Sequence, residues 1–328
     1  MGLTLHRRHL LQAAMGGAVL ARAPAVFAQP ATPTRWAYLA PGFTALMAPY
    51  IAAKNLSEKF GANLAAPTEY TTVSTYYNDF AAGNYDVCIG SWDVFAARYQ
   101  AGVPIRLLCT ITTADMIMIL TGDKAINTIE DLRGKTLAAG QSTGTYRMVS
   151  GLIKERYKLE VGKDIAVQGV DNPAAAMTLV MANRADAGLS WEPSVSAALK
   201  RRPDLRVIFS AGQAYRELTN STLPYFGVGV REDWAQRNPD AVHRVREVFA
   251  ACIAGIVGDP VDAALVAGSA TGFTPDIVSD ALTSKRLSFR YGSMTDPAER
   301  EAMIAAGAFM MRNGLLGKPI DQGFFIAS

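Results

Sequence analysis

Histidine and cysteine are scarce in this sequence, and their scarcity excludes several kinds of site. The 328 residues include three histidines and three cysteines. His6 and His9 lie in the first 28 residues, which have the pattern of a cleaved signal peptide, so His243 is the one histidine expected in the mature protein. Metal sites and catalytic triads that need histidine are therefore not expected. Cys88, Cys109 and Cys252 have no C-x-x-C spacing and are expected to be buried free thiols, with a Cys88–Cys109 bridge as the alternative. No metal and no cofactor are predicted.

The chain also has little excess of either charge. It has 32 Lys and Arg against 29 Asp and Glu, and Arg7, Arg8 and Arg22 fall in the first 28 residues, which carry no acid. The remainder is formally neutral, so neither nucleic acid nor a membrane surface is expected as a partner. The sequence has no P-loop, no complete G-x-G-x-x-G, no H-E-x-x-H and no G-x-S-x-G.

Residues 1–28 have the pattern of a secretory signal peptide. A basic segment precedes an apolar run, and Ala25–Ala28 supplies small residues for cleavage before Gln29. The Arg7-Arg8 pair followed by Leu10-Leu11 resembles a twin-arginine signal, and the export route is left open. No later apolar run has the length that a membrane span requires. Export with cleavage near Ala28 is therefore predicted.

Strand and helix patterns alternate through the rest of the chain, which predicts βαβ units. The pattern restarts with an offset of one hundred residues, so that Arg35–Leu39 corresponds to Lys135–Ala139 and Asp86 to Asp186. We therefore predict two lobes, the first from residues 33–117 and 223–328 and the second from residues 118–222. The chain would cross between them near 115–120 and 219–225, and two crossings make a hinge.

Three local predictions can be checked directly. The run Ala45–Phe60 predicts one helix, and Leu223–Val230 predicts a strand that is not followed by a helix in the βα style. Ser142 or Thr145 is predicted to cap a helix that continues through Tyr157.

Candidate ligand residues occupy four turns that follow predicted strands. In open α/β sheets, ligands bind beyond the carboxyl ends of the strands. Tryptophans there would form flat walls, hydroxyls would donate to a carboxylate or sulfonate, and acids would favour an amine or a ring N–H. Core packing, helix capping and ion pairing are the respective alternatives. The candidates are Gly42, Phe43, Thr44, Ser91, Trp92, Asp93, Gln141, Ser142, Thr143, Thr145, Trp191, Glu192 and Tyr225.

Three segments resemble one known family. The stretches Phe80–Gly90, Asn127–Ala138 and Asp186–Pro193 are similar to the sulfonate, taurine and nitrate solute-binding proteins of ABC importers, and thiamine-pyrimidine-binding relatives share the pattern. The resemblance implies a two-lobed α/β fold of the type II periplasmic binding proteins, with mixed, mostly parallel sheets flanked by helices around a ligand cleft. It also implies a monomeric periplasmic receptor, not an enzyme, which closes on a small organic solute and delivers it to an inner-membrane ABC permease.

The family leaves the ligand open. An organic anion such as a sulfonate or an aromatic carboxylate is the leading prediction, and a neutral or cationic heterocycle held by Asp93 or Glu192 is the alternative. A second alternative is an enzyme on the same fold, desulfinase-like or pyrimidine-synthase-like, which would need a cysteine or histidine in the cleft. Cys88 precedes the turn, and His243 lies far along the chain. A third is an exported sensor domain.

Overall fold

Two mixed β-sheets flanked by helices form the body of the protein from Pro33 onward. The structure is a computed structural model that describes residues 1, 32–141 and 143–327. The predicted signal peptide and its cleavage site therefore lie outside the described residues, apart from Met1. The strands are β1 (Trp36–Leu39), β2 (Thr68–Tyr70), β3 (Val87–Ser91), β4 (Ile105–Thr112), β5 (Ile117–Thr121), β6 (Thr136–Ala139), β7 (Ala166–Gly169), β8 (Ala187–Trp191), β9 (Arg206–Ser210), β10 (Phe226–Arg231) and β11 (Phe289–Ser293).

The helices cover the faces of both sheets. They are α1 (Met47–Ala53), α2 (Leu56–Lys59), α3 (Val73–Ala82), α4 (Trp92–Gln100), α5 (Gly144–Tyr157), α6 (Pro173–Met181), α7 (Ser194–Arg201), α8 (Ala211–Thr219), α9 (Glu232–Arg237), α10 (Pro239–Gly258), α11 (Pro260–Ala267), α12 (Pro275–Thr283) and α13 (Pro297–Arg312).

The sheets combine parallel and antiparallel pairs. The first has the order β11-β4-β10-β3-β1-β2 and the second β7-β6-β8-β5-β9. Strand β1 pairs in parallel with β2 and β3, and β6 pairs in parallel with β7 and β8. Strands β10 and β5 run antiparallel to both of their neighbours, and β11 runs antiparallel to β4. The predicted α/β fold class is confirmed.

The predicted internal correspondence is confirmed by strand order and by one repeated contact. The order β2-β1-β3-β10-β4 in the first sheet matches β7-β6-β8-β5-β9 in the second. Before β3, Asp86 Oδ2 accepts the backbone N–H of Arg35 at 3.0 Å, and before β8, Asp186 Oδ2 accepts the backbone N–H of Thr136 at 2.7 Å. Each aspartate thus ties the start of one strand to the start of its parallel neighbour.

Two segments connect the sheets. The chain leaves the first sheet between β4 and β5 and returns between α8 and β10. Within these connections, the N–H of Ala114 donates to Leu223 O at 2.9 Å, and the N–H of Tyr225 donates to Thr112 O at 2.9 Å. The two crossings therefore run side by side and antiparallel. The lobe boundaries drawn from the sequence remain a prediction.

Several local predictions need correction. Ala45–Phe60 is not one helix, because a 3₁₀ turn leads into α1 and the chain breaks at Asn55, whose φ of 51° is left-handed. Strand β10 is followed at once by α9, whose acidic first turn suits the helix dipole. Helix α8 and strand β11 carried no prediction. Helix α5 ends at Tyr157 as predicted, but its cap is Thr143 and not one of the two predicted residues, Ser142 or Thr145.

Apolar side chains from both sheets share one large core. Strand β4 is buried at seven of its eight positions, and the three cysteines are buried free thiols, as predicted. Within the described ranges, no single helix has the length and apolarity to cross a membrane. Helix α10 and the following residues Pro260–Thr271 together have the length and composition of a span, but the two segments are bent by 112°.

Candidate functional site

Strand ends from both sheets meet around a small cavity, which we call the inter-sheet cavity. Its volume is about 10 Å³, which is room for about one water molecule. The first sheet contributes the β3–α4 turn, the second contributes the start of α5, and the return crossing and α13 complete the wall. The lining residues are Ser91, Trp92, Asp93, Gly144, Thr145, Met148, Tyr225 and Met310.

The first-sheet side is formed by three consecutive predicted residues. The N–H of Ser91 donates to the Tyr77 hydroxyl at 2.8 Å, which fixes the end of β3. The indole of Trp92 is fully buried, and its Nε1–H donates to Pro224 O at 2.8 Å. Trp92 therefore lines the cavity and also anchors α4 to the return crossing.

Asp93 supplies a carboxylate at this side of the cavity. The Ser91 hydroxyl donates to Asp93 Oδ1, and Oδ2 lies 3.1 Å from the position that a Cβ on Gly144 would take. Burial raises the pKa of Asp93 above its ordinary value. Hydrogen bonds from the Ser91 hydroxyl and from backbone N–H groups of the first turn of α4, together with the charge of Arg147, lower this pKa but do not cancel the rise. The carboxylate thus faces the first turn of α5 across the sheets.

A hydroxyl pair closes the second-sheet side. Thr145 Oγ1 lies 2.8 Å from the Tyr225 hydroxyl, and both side chains are buried. Burial raises the pKa of Tyr225, so the phenol stays neutral and can donate or accept. The ring of Phe43 stacks on Tyr225 at 6.4 Å between centroids, one layer behind the cavity.

Other predicted site residues serve the backbone near the strand ends. The N–H of Gly42 donates to Thr271 O at 2.9 Å, and Thr44 Oγ1–H donates to Leu39 O at 2.7 Å. Thr143 Oγ1 accepts the N–H of Tyr146 at 3.1 Å, so it acts as a helix cap.

Two further candidates lie apart from the cavity lining. Gln141 is exposed, and Trp191, the last residue of β8, is partly buried against the core. Ser142 lies outside the described residues.

Glu192 is enclosed by partners. Its Oε1 accepts from Arg286 Nε at 3.0 Å and from the Ser196 hydroxyl at 3.0 Å, and its Oε2 accepts the Ser196 N–H at 3.0 Å. Burial raises the pKa of Glu192, while Ser196 and Arg286 oppose the shift. The side chain is fully buried, so its hydrogen-bonding capacity is used within the protein.

A further acid, Asp115, lies in the outgoing crossing. It accepts from the Thr113 hydroxyl at 2.6 Å and pairs with Arg216 at 2.7 Å. Both partners are neighbours of the crossing itself, so this carboxylate holds local structure.

Three lining residues were not predicted. Gly144 lies between the predicted residues Thr143 and Thr145. Met148 lies one turn beyond Thr145 on α5, so the helical period could have identified it. Met310 comes from α13, far along the chain, and no local pattern connects it to the strand ends.

A larger concavity lies elsewhere in the described part of the chain. A surface groove of about 820 Å³ runs along the outer face of α5 and the end of α13. Its charges are largely paired, Lys154 with Glu160 at 3.1 Å and Arg312 with Glu155 at 3.5 Å. It does not lie at the strand ends where the fold places ligands.

Two sheets of matching strand order, joined by paired crossings and meeting at their strand ends, define the architecture of a type II periplasmic binding protein. A family model of the ABC-transporter phosphonate periplasmic substrate-binding proteins matches residues 50–275. The chain belongs to this family, and the resemblance seen in the sequence is confirmed. Its location is accordingly periplasmic. No curated protein matches the sequence.

Solved structures share the fold at low sequence identity. The periplasmic aliphatic sulphonate-binding protein of Escherichia coli has a TM-score of 0.73 and 16% identity, over 90% of this chain and 91% of that one. The alkanesulfonate-binding protein of Xanthomonas axonopodis pv. citri, bound to MOPS, has a TM-score of 0.67 and 17% identity, over 87% and 94%. An ABC transporter structure from Parabacteroides distasonis has a TM-score of 0.71 and 12% identity, over 90% and 99%.

Proposed function

We propose that this protein captures a small organic solute at the inter-sheet cavity and delivers it to an ABC permease in the inner membrane. The observation that carries the proposal is the direct meeting of the two sheets there, with Thr145 bonded to Tyr225 and Asp93 against Gly144. In a binding protein of this fold, residues that touch across the strand ends in a closed form are the ones that a ligand separates and then bridges.

The paired crossings are suited to act as the hinge. They join the sheets through two adjacent chain segments, and backbone hydrogen bonds such as Ala114 N–H to Leu223 O hold the segments together. A rotation there would require changes in only a few backbone dihedral angles while each sheet stays rigid. We therefore propose hinges near 115–120 and 219–225.

Entry of a solute requires the sheets to separate. A cavity of about 10 Å³ does not hold an organic molecule, so the described arrangement corresponds to a closed form. Opening must break the Thr145–Tyr225 hydrogen bond and expose the buried indole of Trp92. Closing on a ligand would restore equivalent contacts through the ligand.

A receptor is better supported than an enzyme on the same fold. Burial raises the pKa of the Cys88 thiol to about 12, which leaves it protonated and unreactive at neutral pH. His243 is exposed on α10, where it pairs with Glu247 at 3.6 Å. Neither residue lines the inter-sheet cavity, so nucleophilic catalysis there has no support.

Two ligand classes have separate support. The names of the sulfonate-binding neighbours favour the predicted organic anion, a sulfonate or an aromatic carboxylate. The carboxylate of Asp93 at the cavity favours the alternative, a neutral or cationic heterocycle. A sensor domain would bind its ligand in the same way. We further propose a monomer, which size-exclusion chromatography with light scattering would test.

Thermal denaturation with a ligand panel tests the proposed function. At a concentration one hundred times its Kd, a ligand that binds only the folded protein adds about 2.7 kcal/mol of stability, which raises the Tm by about 5 °C. It should also change tryptophan fluorescence, because Trp92 lines the cavity. Sulfonates, aromatic carboxylates, amines and pyrimidines at millimolar concentration should include at least one that does both. A panel without any response would contradict the proposal.

Variants at the hydroxyl pair localise the response. Thr145→Val keeps the side-chain shape but removes the hydrogen bond to Tyr225, and we expect about 1 kcal/mol lower stability together with altered ligand affinity. Thr178→Val is the matched control, since its hydroxyl bonds to Ala174 O on α6, away from the cavity. Equal ligand affinity in both variants would place the binding site elsewhere.

A further inference from the structure

Asp93 gives the inter-sheet cavity its formal charge. Among the described residues that line the cavity, it is the single ionisable group at neutral pH, since Tyr225 stays a neutral phenol. The remaining lining consists of hydroxyls, an indole and the thioethers of Met148 and Met310. A solute held here would meet one carboxylate, a few neutral polar groups and an apolar surface.

The basic residue whose charge acts on this carboxylate does not form an ion pair with it. Arg147 lies on α5 and lowers the pKa of Asp93 through its charge, but its side chain is exposed and borders the outer groove. The Ser91 hydroxyl and first-turn N–H groups give Asp93 hydrogen bonds without a compensating cation. A desolvated carboxylate in this situation gains from a cationic or N–H partner and disfavours a second anion.

Glu192 does not compete for that role. Its two oxygens already accept from Arg286 and Ser196, and the side chain is fully buried. Asp93 and Glu192 were both proposed to bind the ligand. Of the two, Asp93 lines the cavity and is not paired with a cation, whereas Glu192 is paired with Arg286.

We propose that Asp93 determines specificity, and that the solute carries a protonated amine, an amidine or a ring N–H that donates to its carboxylate. The apolar part of the solute would then pack against Met148 and Met310, with Trp92 as the flat wall. The inference rests on the proposed receptor function and selects the cationic or N–H-bearing class over a simple organic anion. In the closed form Oδ2 faces the start of α5, so an opened cleft would present this oxygen to the solute.

Two matched sets of probes test the charge preference by isothermal titration calorimetry at pH 7.5. The aromatic set is benzamidine, benzamide and benzoate, and the aliphatic set is butylamine, butyramide and butanesulfonate. In at least one set, the cation should bind the wild-type protein at least tenfold more tightly than the anion. Asp93→Asn should lose about 10- to 100-fold in affinity for that cation, the usual range for a hydrogen bond between charged groups.

Asp233→Asn is the matched control variant. Asp233 is the second residue of α9, as Asp93 is of α4, and it pairs with Arg231 outside the cavity. It should leave the affinity for every probe unchanged. Asp93→Ser should reproduce the loss, which keeps the test valid if the asparagine variant does not fold.

The possible results separate this inference from the function on which it rests. Tighter binding of an anion, or unchanged affinity for the cation in both Asp93 variants, would overturn the role of Asp93 but leave a functioning solute receptor. Absence of binding by all six probes to the wild-type protein and to Asp93→Asn would overturn the inference, and the proposed function would then depend on the wider thermal panel.

Discussion

The ion pair between Glu192 and Arg286 offers a sharp test of how the closed form is held. Glu192 follows β8 of the second sheet, whereas Arg286 precedes β11 of the first, so the pair links the two sheets. Arg286 Nε and Glu192 Oε1 are 3.0 Å apart, with the Glu192 side chain fully buried and the Arg286 side chain 24% exposed. Arg286→Met removes the positive charge and keeps much of the aliphatic stem.

The expected loss of stability can be estimated from this geometry. At 3.0 Å and an effective dielectric constant of about 20, the attraction is about 5 kcal/mol before desolvation. Removal of one member of a buried pair costs about 3–5 kcal/mol, because the other charge stays buried. Since Arg286 is partly exposed, we expect a loss in the free energy of unfolding at the lower end of this range, about 3 kcal/mol. In a chain of this size, that loss lowers the Tm by about 6 °C.

The loss should depend on pH in a defined direction. Burial already raises the pKa of Glu192, and loss of Arg286 removes a charge that opposes the shift. A carboxyl whose pKa is higher in the folded state binds its proton more tightly there. Its contribution is therefore most favourable below the ordinary glutamate pKa and is lost as pH rises through the folded-state pKa. The variant should be closest to wild type near pH 4.5 and furthest from it near pH 8.

Urea denaturation at the two pH values measures both effects. Lys200→Met is the control, because Lys200 on α7 pairs with Asp276 on α12, with both side chains more than half exposed. That exposed pair should contribute less than about 1 kcal/mol. If Arg286→Met were no less stable than Lys200→Met, or if its deficit were the same at both pH values, the reasoning about a buried inter-sheet pair would be refuted.

Two further predictions concern packing. Gly151→Ala places a Cβ 2.5 Å from Asn313 Oδ1, so we expect a loss of about 1–3 kcal/mol despite the better helix propensity of alanine. Gly258→Ala is the control, because open space surrounds the added Cβ, and it should not lose stability. Similar melting temperatures for the two variants would show that α13 and Asn313 can shift without loss of stability. Trp92→Phe removes a fully buried indole and its hydrogen bond, and should cost about 2 kcal/mol in urea denaturation and abolish a ligand-dependent fluorescence change. A ligand response retained in this variant would assign the signal to another tryptophan.

Repetition made much of the fold accessible from the sequence. Asp86 and Asp186 recur one hundred residues apart and make the same contact, because each parallel strand pair must satisfy the backbone at its start. Helix α3 ends at Gly83, whose φ of 86° is a helix-ending conformation that glycine adopts easily, so this boundary also has a local cause. Periodicity, turns and caps act over a few residues, so one sequence suffices to find them.

The candidate site depended on contacts that no local pattern encodes. Glu192 and Arg286 are 94 positions apart, and their pairing removed a predicted ligand group from consideration. Met310 lines the cavity from α13, the last long helix. The proposed role of Asp93 depends on the other lining residues, none of which is basic. The sequence by itself determined most of the strands and helices and the turns that follow the strands. Only the tertiary structure decided which side chains face the cavity, because that depends on how distant elements pack and on which charges they pair.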